Sequence, residues 1–124
     1  MPAYDAERFA PPAPVAKVRV RNPESGASVD DVLMLIDSGA DATLLPRHVV
    51  EWLALQPLRE RYKLLSFDDT PSEAEAVRAQ VVFLGRNFTG QFLVADGDVG
   101  VLGRNVLNRL RIVLDGPAEA WDEA

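Results

Sequence analysis

The chain has 124 residues, 48% of them hydrophobic and 26% charged, a balance that fits one soluble globular domain with a single core. A formal net charge of −6, without clustered Lys and Arg, argues against nucleic acid as a partner, because phosphate binding needs such clusters. Cysteine is absent, which excludes disulfides, thiolate catalysis and thiolate metal sites, and no apolar run approaches the roughly 20 residues of a membrane span.

In chain order, residues 1–14 hold four of the nine prolines and little periodicity, and read as a flexible, Pro-rich arm. From residue 15 the pattern is that of a strand, with Val18 and Val20 alternating with Lys17, Arg19 and Arg21. Asn22 to Gly26 is a turn by composition. Val32, Leu33, Met34, Leu35 and Ile36 are apolar without alternation, as expected of a short strand buried on both faces, and run directly into Asp37-Ser38-Gly39. Pro46 suits a first helical position, with Val49, Trp52 and Leu53 at helical spacing and Pro57 ending the pattern. Strand signals return over residues 62–67, 74–84 and 88–95, the last two joined by Gly85-Arg86-Asn87 with hairpin chemistry. A short strand over 99–102, one or two helical turns around Val106, Leu107 and Leu110, and a strand over 111–114 complete the pattern. The reading is an all-β domain over residues 15–114 with one or two short helices, followed by an acidic tail over 115–124.

Chemistry is concentrated in a pair of segments. The first is Leu35-Ile36-Asp37-Ser38-Gly39-Ala40-Asp41-Ala42-Thr43, and the second, some sixty residues later, is Val101-Leu102-Gly103-Arg104-Asn105. An apolar strand that ends in Asp37 places a carboxylate at the end of a rigid element. Gly39, without a Cβ, permits close approach of another backbone, and Gly103 lets a strand pack against that loop at short distance.

Together, in this order and spacing, the two segments resemble those of the retropepsin-like aspartic proteases, the single-domain relatives of pepsin. Asp-Ser-Gly alone is a common turn tripeptide, so the pairing carries the resemblance, which spans residues 15–114. It implies a retropepsin-like acid-protease fold with Asp37 as the catalytic aspartate. It implies that Ser38 braces two active-site loops across a dimer axis, that the Gly39 backbone contacts substrate with Ala40 supporting the active site, and that Asp41 and Arg104 form a partly buried ion pair tying the loop to the C-terminal helix. Residues 62–78 fall where such enzymes place a mobile hairpin, the flap, with Ser66, Phe67, Asp68, Asp69 and Thr70 at its substrate-binding tip. Retroviral flaps have a glycine-rich tip, whereas this chain has no glycine between Gly39 and Gly85.

Peptide hydrolysis by this route needs one carboxylate to take a proton from water and another to protonate the substrate oxygen. One chain supplies one such aspartate, so the implied enzyme is a homodimer acting on a peptide or protein with no cofactor and no metal. The rival reading is a peptide-binding dimer of the same fold with little proteolytic activity, favoured by the glycine-free flap.

Other features carry less. His48 is the only histidine, lies beside Pro46 and reads as a surface or cap residue. Ser38 lacks a nucleophile's partners, and no Gly-x-Ser-x-Gly is present. Asp96-Gly97-Asp98 lacks calcium-loop spacing and reads as a solvated turn; Asp30-Asp31 reads as wet. Asn87-Phe88-Thr89 fits the glycosylation sequon, but the N-terminus lacks a secretory pattern, so a cytoplasmic location away from membranes is expected. Trp121 in the tail is compatible with either docking or disorder.

Overall fold

In a computed structural model, which describes residues 1–65 and 71–124 (the backbone alone for 59–65 and 71–73), the chain forms ten strands and two short helices among the described residues. They are β1 (Tyr4–Asp5), β2 (Ala13–Arg21), β3 (Ser28–Ile36), β4 (Leu44–Pro46), α1 (Arg47–Trp52), β5 (Pro57–Leu65), β6 (Pro71–Phe83), β7 (Arg86–Ala95), β8 (Gly100–Leu102), α2 (Arg104–Leu107), β9 (Ile112–Asp115) and β10 (Ala120–Glu123). Eight strands form one sheet in the order β1-β2-β3-β8-β4-β7-β6-β5, and β2 also pairs with β6, so the sheet curls back on itself. The strands β9 and β10 make a separate hairpin. The all-β expectation with one or two short helices is met. No helix among the described residues is long and apolar enough to cross a membrane.

The core lies inside the curled sheet. Alternation along β2 buries Ala16, Val18 and Val20 while Lys17 and Arg19 face water. Along β3, Val32, Met34 and Ile36 are buried, but Leu33 and Leu35 are only half-buried, so the strand is fully covered on one face and partly on the other. Leu33 lies on the partly covered face, in a groove it shares with Pro2, Ala3 and Trp121.

At about 100° per residue, Val49, Leu53 and Val50 share one arc of the α1 turn, and Trp52 falls outside it. Val49 and Leu53 are therefore buried, whereas Trp52 is 81% exposed. The β6–β7 hairpin turns at Leu84-Gly85, one residue earlier than the sequence suggested. Both residues have positive φ (52° and 72°), the backbone a two-residue hairpin turn requires, and Phe83 then faces Arg86 directly.

The two terminal segments lie against each other. Tyr4 and Asp5 pair with Pro14 and Ala13, while Trp121 is buried, donates its indole N–H to the Val15 carbonyl at 2.7 Å and packs on Phe83 at 5.8 Å between centroids. Opposite Arg19, β3 bulges at Asp30 and Asp31, and Asp31 has a φ of 56°. Arg19 donates to Asp30, and this bond raises the guanidinium pKa.

Candidate active site

Asp37 owes its position to two neighbouring strands. β3 runs parallel to β8, with Met34, Leu35 and Ile36 opposite Gly100, Val101 and Leu102. The ladder extends one residue further, because Asp37 N–H donates to the Leu102 carbonyl at 3.1 Å. Ala40 N–H then closes a turn on the Asp37 carbonyl at 3.2 Å. Gly39 N–H donates to Asp37 Oδ1 at 2.9 Å, which orients the carboxylate over its own turn. The Asp37 side chain stands at the end of a fixed element, partly exposed, on a loop held from behind. Ser38 and Gly39 are exposed beside it.

Gly103 lets the second segment reach that loop. A Cβ there would collide with the Ala42 carbonyl and come to 3.0 Å from the Ala40 oxygen, so only glycine allows the present distance between the loops. Beyond it, Arg104 N–H donates to the Ala40 carbonyl at 2.8 Å. Gly103 N–H donates to Thr43 Oγ1 at 3.0 Å, and the Thr43 hydroxyl donates to Asn105 Oδ1 at 2.6 Å. Thr43 is fully buried, and its carbonyl also accepts Leu93 N–H from β7 at 3.0 Å. The loop that follows Asp37 is thus bonded to β8, α2 and β7 together.

One expected contact takes a different form. The ion pair between Asp41 and Arg104 is not among the ion pairs of the described residues. The Arg104 guanidinium instead donates to the Ser38 carbonyl at 2.9 Å, and both Asp41 and Arg104 are exposed rather than partly buried. An exposed guanidinium gains little from a carboxylate in water, while the Ser38 carbonyl beside the turn offers it a fixed acceptor. Arg104 still ties the loop to α2, through a backbone oxygen.

The sequence left Thr43 and Asn105 without roles although both lie inside the quoted segments. Their signal was available: a threonine between Ala42 and Leu44 in an apolar run is destined for burial, and a buried hydroxyl needs partners. Over the segment expected to form the flap, the arms β5 and β6 pair antiparallel as far as Leu65 opposite Pro71. Ser66, Phe67, Asp68, Asp69 and Thr70 lie outside the described residues. At the base of these arms, Leu58, Ala74 and Ala76 pack with Leu93, Ala42 and Leu44, joining the arms to the chain just after the Asp37 loop.

The remaining candidates are set apart from this loop. His48 is exposed near Trp52 and Asp98. Asp96, 88% exposed, accepts from Arg47 at 2.8 Å, and this bond, with help from Glu75, raises the Arg47 pKa.

No protein-family profile and no curated protein sequence matches the chain. Among solved structures, it is similar to EIAV protease complexed with the inhibitor HBY-793, with 23% identity, a TM-score of 0.58, and coverage of 86% of this chain and 91% of that one. It is also similar to a retropepsin-like aspartic protease from Rickettsia conorii, with 20% identity, a TM-score of 0.51, and coverage of 83% and 87%. With Asp37 at the end of β3 and Gly103 packed against its loop, the chain has the retropepsin-like fold.

Proposed function

We propose that the protein is a homodimeric aspartic endopeptidase whose catalytic dyad is Asp37 and Asp37 of the partner subunit. The observation that carries this reading is the bracing of Asp37: the carboxylate is partly exposed, yet its loop is bonded to Leu102, Arg104 and, through Thr43, to Gly103 and Asn105. So much support for one exposed turn is the preorganisation a catalytic group requires. The two solved neighbours, both proteases of this fold, favour the same chemistry.

Two carboxyls held together share one proton, because like charges at short distance do not both ionise. The ionised carboxylate removes a proton from water as the water oxygen attacks the scissile carbonyl carbon. The protonated carboxyl gives its proton to the carbonyl oxygen, which yields a neutral tetrahedral diol. Collapse of the diol breaks the C–N bond as the amide nitrogen takes the dyad's proton and a diol hydroxyl gives its own to the other carboxylate, which leaves a carboxylic acid and an amine and returns the dyad to one proton. Gly39 N–H, donating to Asp37 Oδ1, fixes one oxygen of each carboxylate while the other accepts no protein donor among the described residues.

The test is to incubate purified protein with a mixed peptide library across a range of pH beside the Asp37→Asn variant. Endoproteolysis by the wild type and none by the variant is expected. The second reading, a peptide-binding dimer with little hydrolysis, is favoured by the absence of glycine between Gly39 and Gly85. Peptide binding without cleavage by the wild type would support it.

A further inference from the structure

The face of α1 that misses the core carries Trp52, 81% exposed, whose indole N–H meets no acceptor among the described residues. Trp52 borders a groove of about 480 Å³ between α1, β3 and the β7–β8 loop. Such a volume falls within the roughly 300–1,000 Å³ of small-ligand clefts, room for a long side chain of an extended peptide. The buried side chains of Val32 and Val49 form its floor, and Asp30, Asp31, His48 and Asp98 stand exposed around it. No lysine or arginine is among its lining residues.

The negative charge of this groove is largely uncompensated. Asp30 accepts from Arg19, but Asp31 and Asp98 have no ion pair and no hydrogen-bond donor among the described residues. The two come from separate parts of the chain: Asp31 from the β3 bulge, and Asp98 from just before Gly100, which faces Met34 in the β3–β8 ladder. An exposed indole beside free carboxylates is complementary to a guanidinium. That group is planar and weakly hydrated, so it stacks on an aromatic face while its N–H groups donate to a carboxylate. An ammonium is a strongly hydrated point charge and does not combine the two contacts in the same way. The net charge of −6 draws a cationic segment toward the surface as a whole.

We propose that this groove is a docking site for an arginine-bearing segment of the protein substrate, the guanidinium stacking on Trp52 and donating to Asp31 or Asp98. That the segment belongs to a substrate rests on the endopeptidase reading; its binding does not. Val32 stands five residues before Asp37, about 16 Å at roughly 3.3 Å per residue of strand. An arginine held there lies outside the few residues that flank the scissile bond, so it selects among protein substrates without touching the dyad. The contact forms equally in the ground state and the transition state, so it lowers KM and leaves kcat unchanged.

Trp52 and Trp121 are the only tryptophans and Trp121 is buried, so intrinsic fluorescence reports the groove through Trp52. The protein to titrate is Asp37→Asn, which cannot cleave the probe. The probe is acetyl-Gly-Arg-Gly-Arg-Gly-amide, beside the same peptide with Lys or Gln in place of Arg. A saturable change is expected with the Arg peptide, with about threefold weaker binding of the Lys peptide, no response to the Gln peptide and weaker binding at high salt. Adding Asp31→Asn or Asp98→Asn is expected to weaken binding about two- to fivefold each. Asparagine tolerates the φ of 56° at Asp31, so the bulge is kept. Asp122→Asn, on exposed β10 surface, removes the same charge and is expected to leave binding unchanged. In the wild type, an arginine-bearing tail on a cleaved peptide is expected to lower KM at constant kcat, and Trp52→Ala to remove that gain alone. No response to the Arg peptide, an equal response to the Gln peptide, or equal weakening by Asp122→Asn overturns the docking site and leaves the protease reading standing. Binding by Asp37→Asn without peptidase activity in the wild type supports the docking site and counts against the protease reading. Binding together with cleavage whose KM ignores the tail overturns the assignment of the segment to a substrate.

Discussion

The Thr43 hydroxyl donates to Asn105 Oδ1 at 2.6 Å, joining residues 62 positions apart, and it also accepts Gly103 N–H at 3.0 Å. Thr43 is fully buried and its bond from Gly103 is made away from water, while the bond to Asn105, an exposed residue, is partly buried. Thr43→Val keeps the shape but leaves the Gly103 N–H without its acceptor. The expected loss is about 1–3 kcal/mol of stability, the cost of a buried polar group left unpaired. Thr43→Ser keeps the hydroxyl and loses one methyl, about 0.8 kcal/mol. Urea unfolding of the two variants checks this, and an equal shift in both would mean that the hydroxyl contributes nothing beyond packing.

Gly103→Ala tests the close approach of the two loops. The glycine has φ −93° and ψ −177°, a backbone any residue adopts, so the penalty is steric alone. The new Cβ would meet the Ala42 carbonyl, and overpacking of this kind costs about 1–3 kcal/mol, or more where backbone must move. Gly90→Ala is the control, because a Cβ there meets nothing within 4 Å. Thermal unfolding should separate the two clearly, with Gly103→Ala also losing activity as the Asp37 loop shifts. Similar melting temperatures would show that the contact relaxes freely.

Much of this arrangement was legible in the sequence because its cause is local. The apolar run 32–36 followed by Asp37-Ser38-Gly39 marks a strand delivering a carboxylate, and Val101-Leu102-Gly103 marks the strand that packs against it. What escaped depends on which partner a side chain finds in three dimensions. Arg104 reaches the Ser38 carbonyl rather than Asp41, a choice between two acceptors on the same loop that composition does not rank. Trp52 shares helical spacing with Val49, but a six-residue helix buries a narrow arc, and a pattern of three positions does not say where that arc ends. Burial of Trp121 depends on Val15 and Phe83, far away in the chain.

Asp5 makes a pH-dependent clasp in the N-terminal segment. Its carboxylate accepts the Arg8 N–H at 2.9 Å, the Arg8 guanidinium at 2.9 Å and the Glu7 N–H at 2.9 Å. The Arg8 backbone bond is the chief cause that lowers its pKa, with the guanidinium and Glu7 adding to it against partial burial, which acts the other way. A lowered carboxyl pKa gives stability that is present above the unfolded value, about 3.9, and lost as pH falls through the folded value. Amide exchange at Glu7 and Arg8, corrected for intrinsic rates, should therefore be slow near pH 6 and lose protection below about pH 4. In Asp5→Asn, which keeps an acceptor without the charge, this pH dependence should flatten. Retention of the full pH dependence in the variant would assign it to another group.

The proposed dyad makes activity a property of two chains. Each copy supplies a single Asp37, so monomers contribute no turnover, and specific activity should fall on dilution below the dimer dissociation constant. Asp37→Asn should abolish hydrolysis while leaving sedimentation unchanged, because Asn keeps the Gly39 N–H bond to its side-chain oxygen but carries no transferable proton. Mixing wild type with an excess of Asp37→Asn should then suppress activity further, since mixed dimers hold one carboxylate in place of two. The rate should also be bell-shaped in pH: one proton on the dyad is active, while none or two is not, and the two limbs report the pair rather than either residue. Assays across a dilution series, run beside sedimentation at the same concentrations, distinguish this from a one-chain mechanism. Constant specific activity through a range in which the protein is monomeric, or full activity in the mixture, would contradict a dyad shared between subunits.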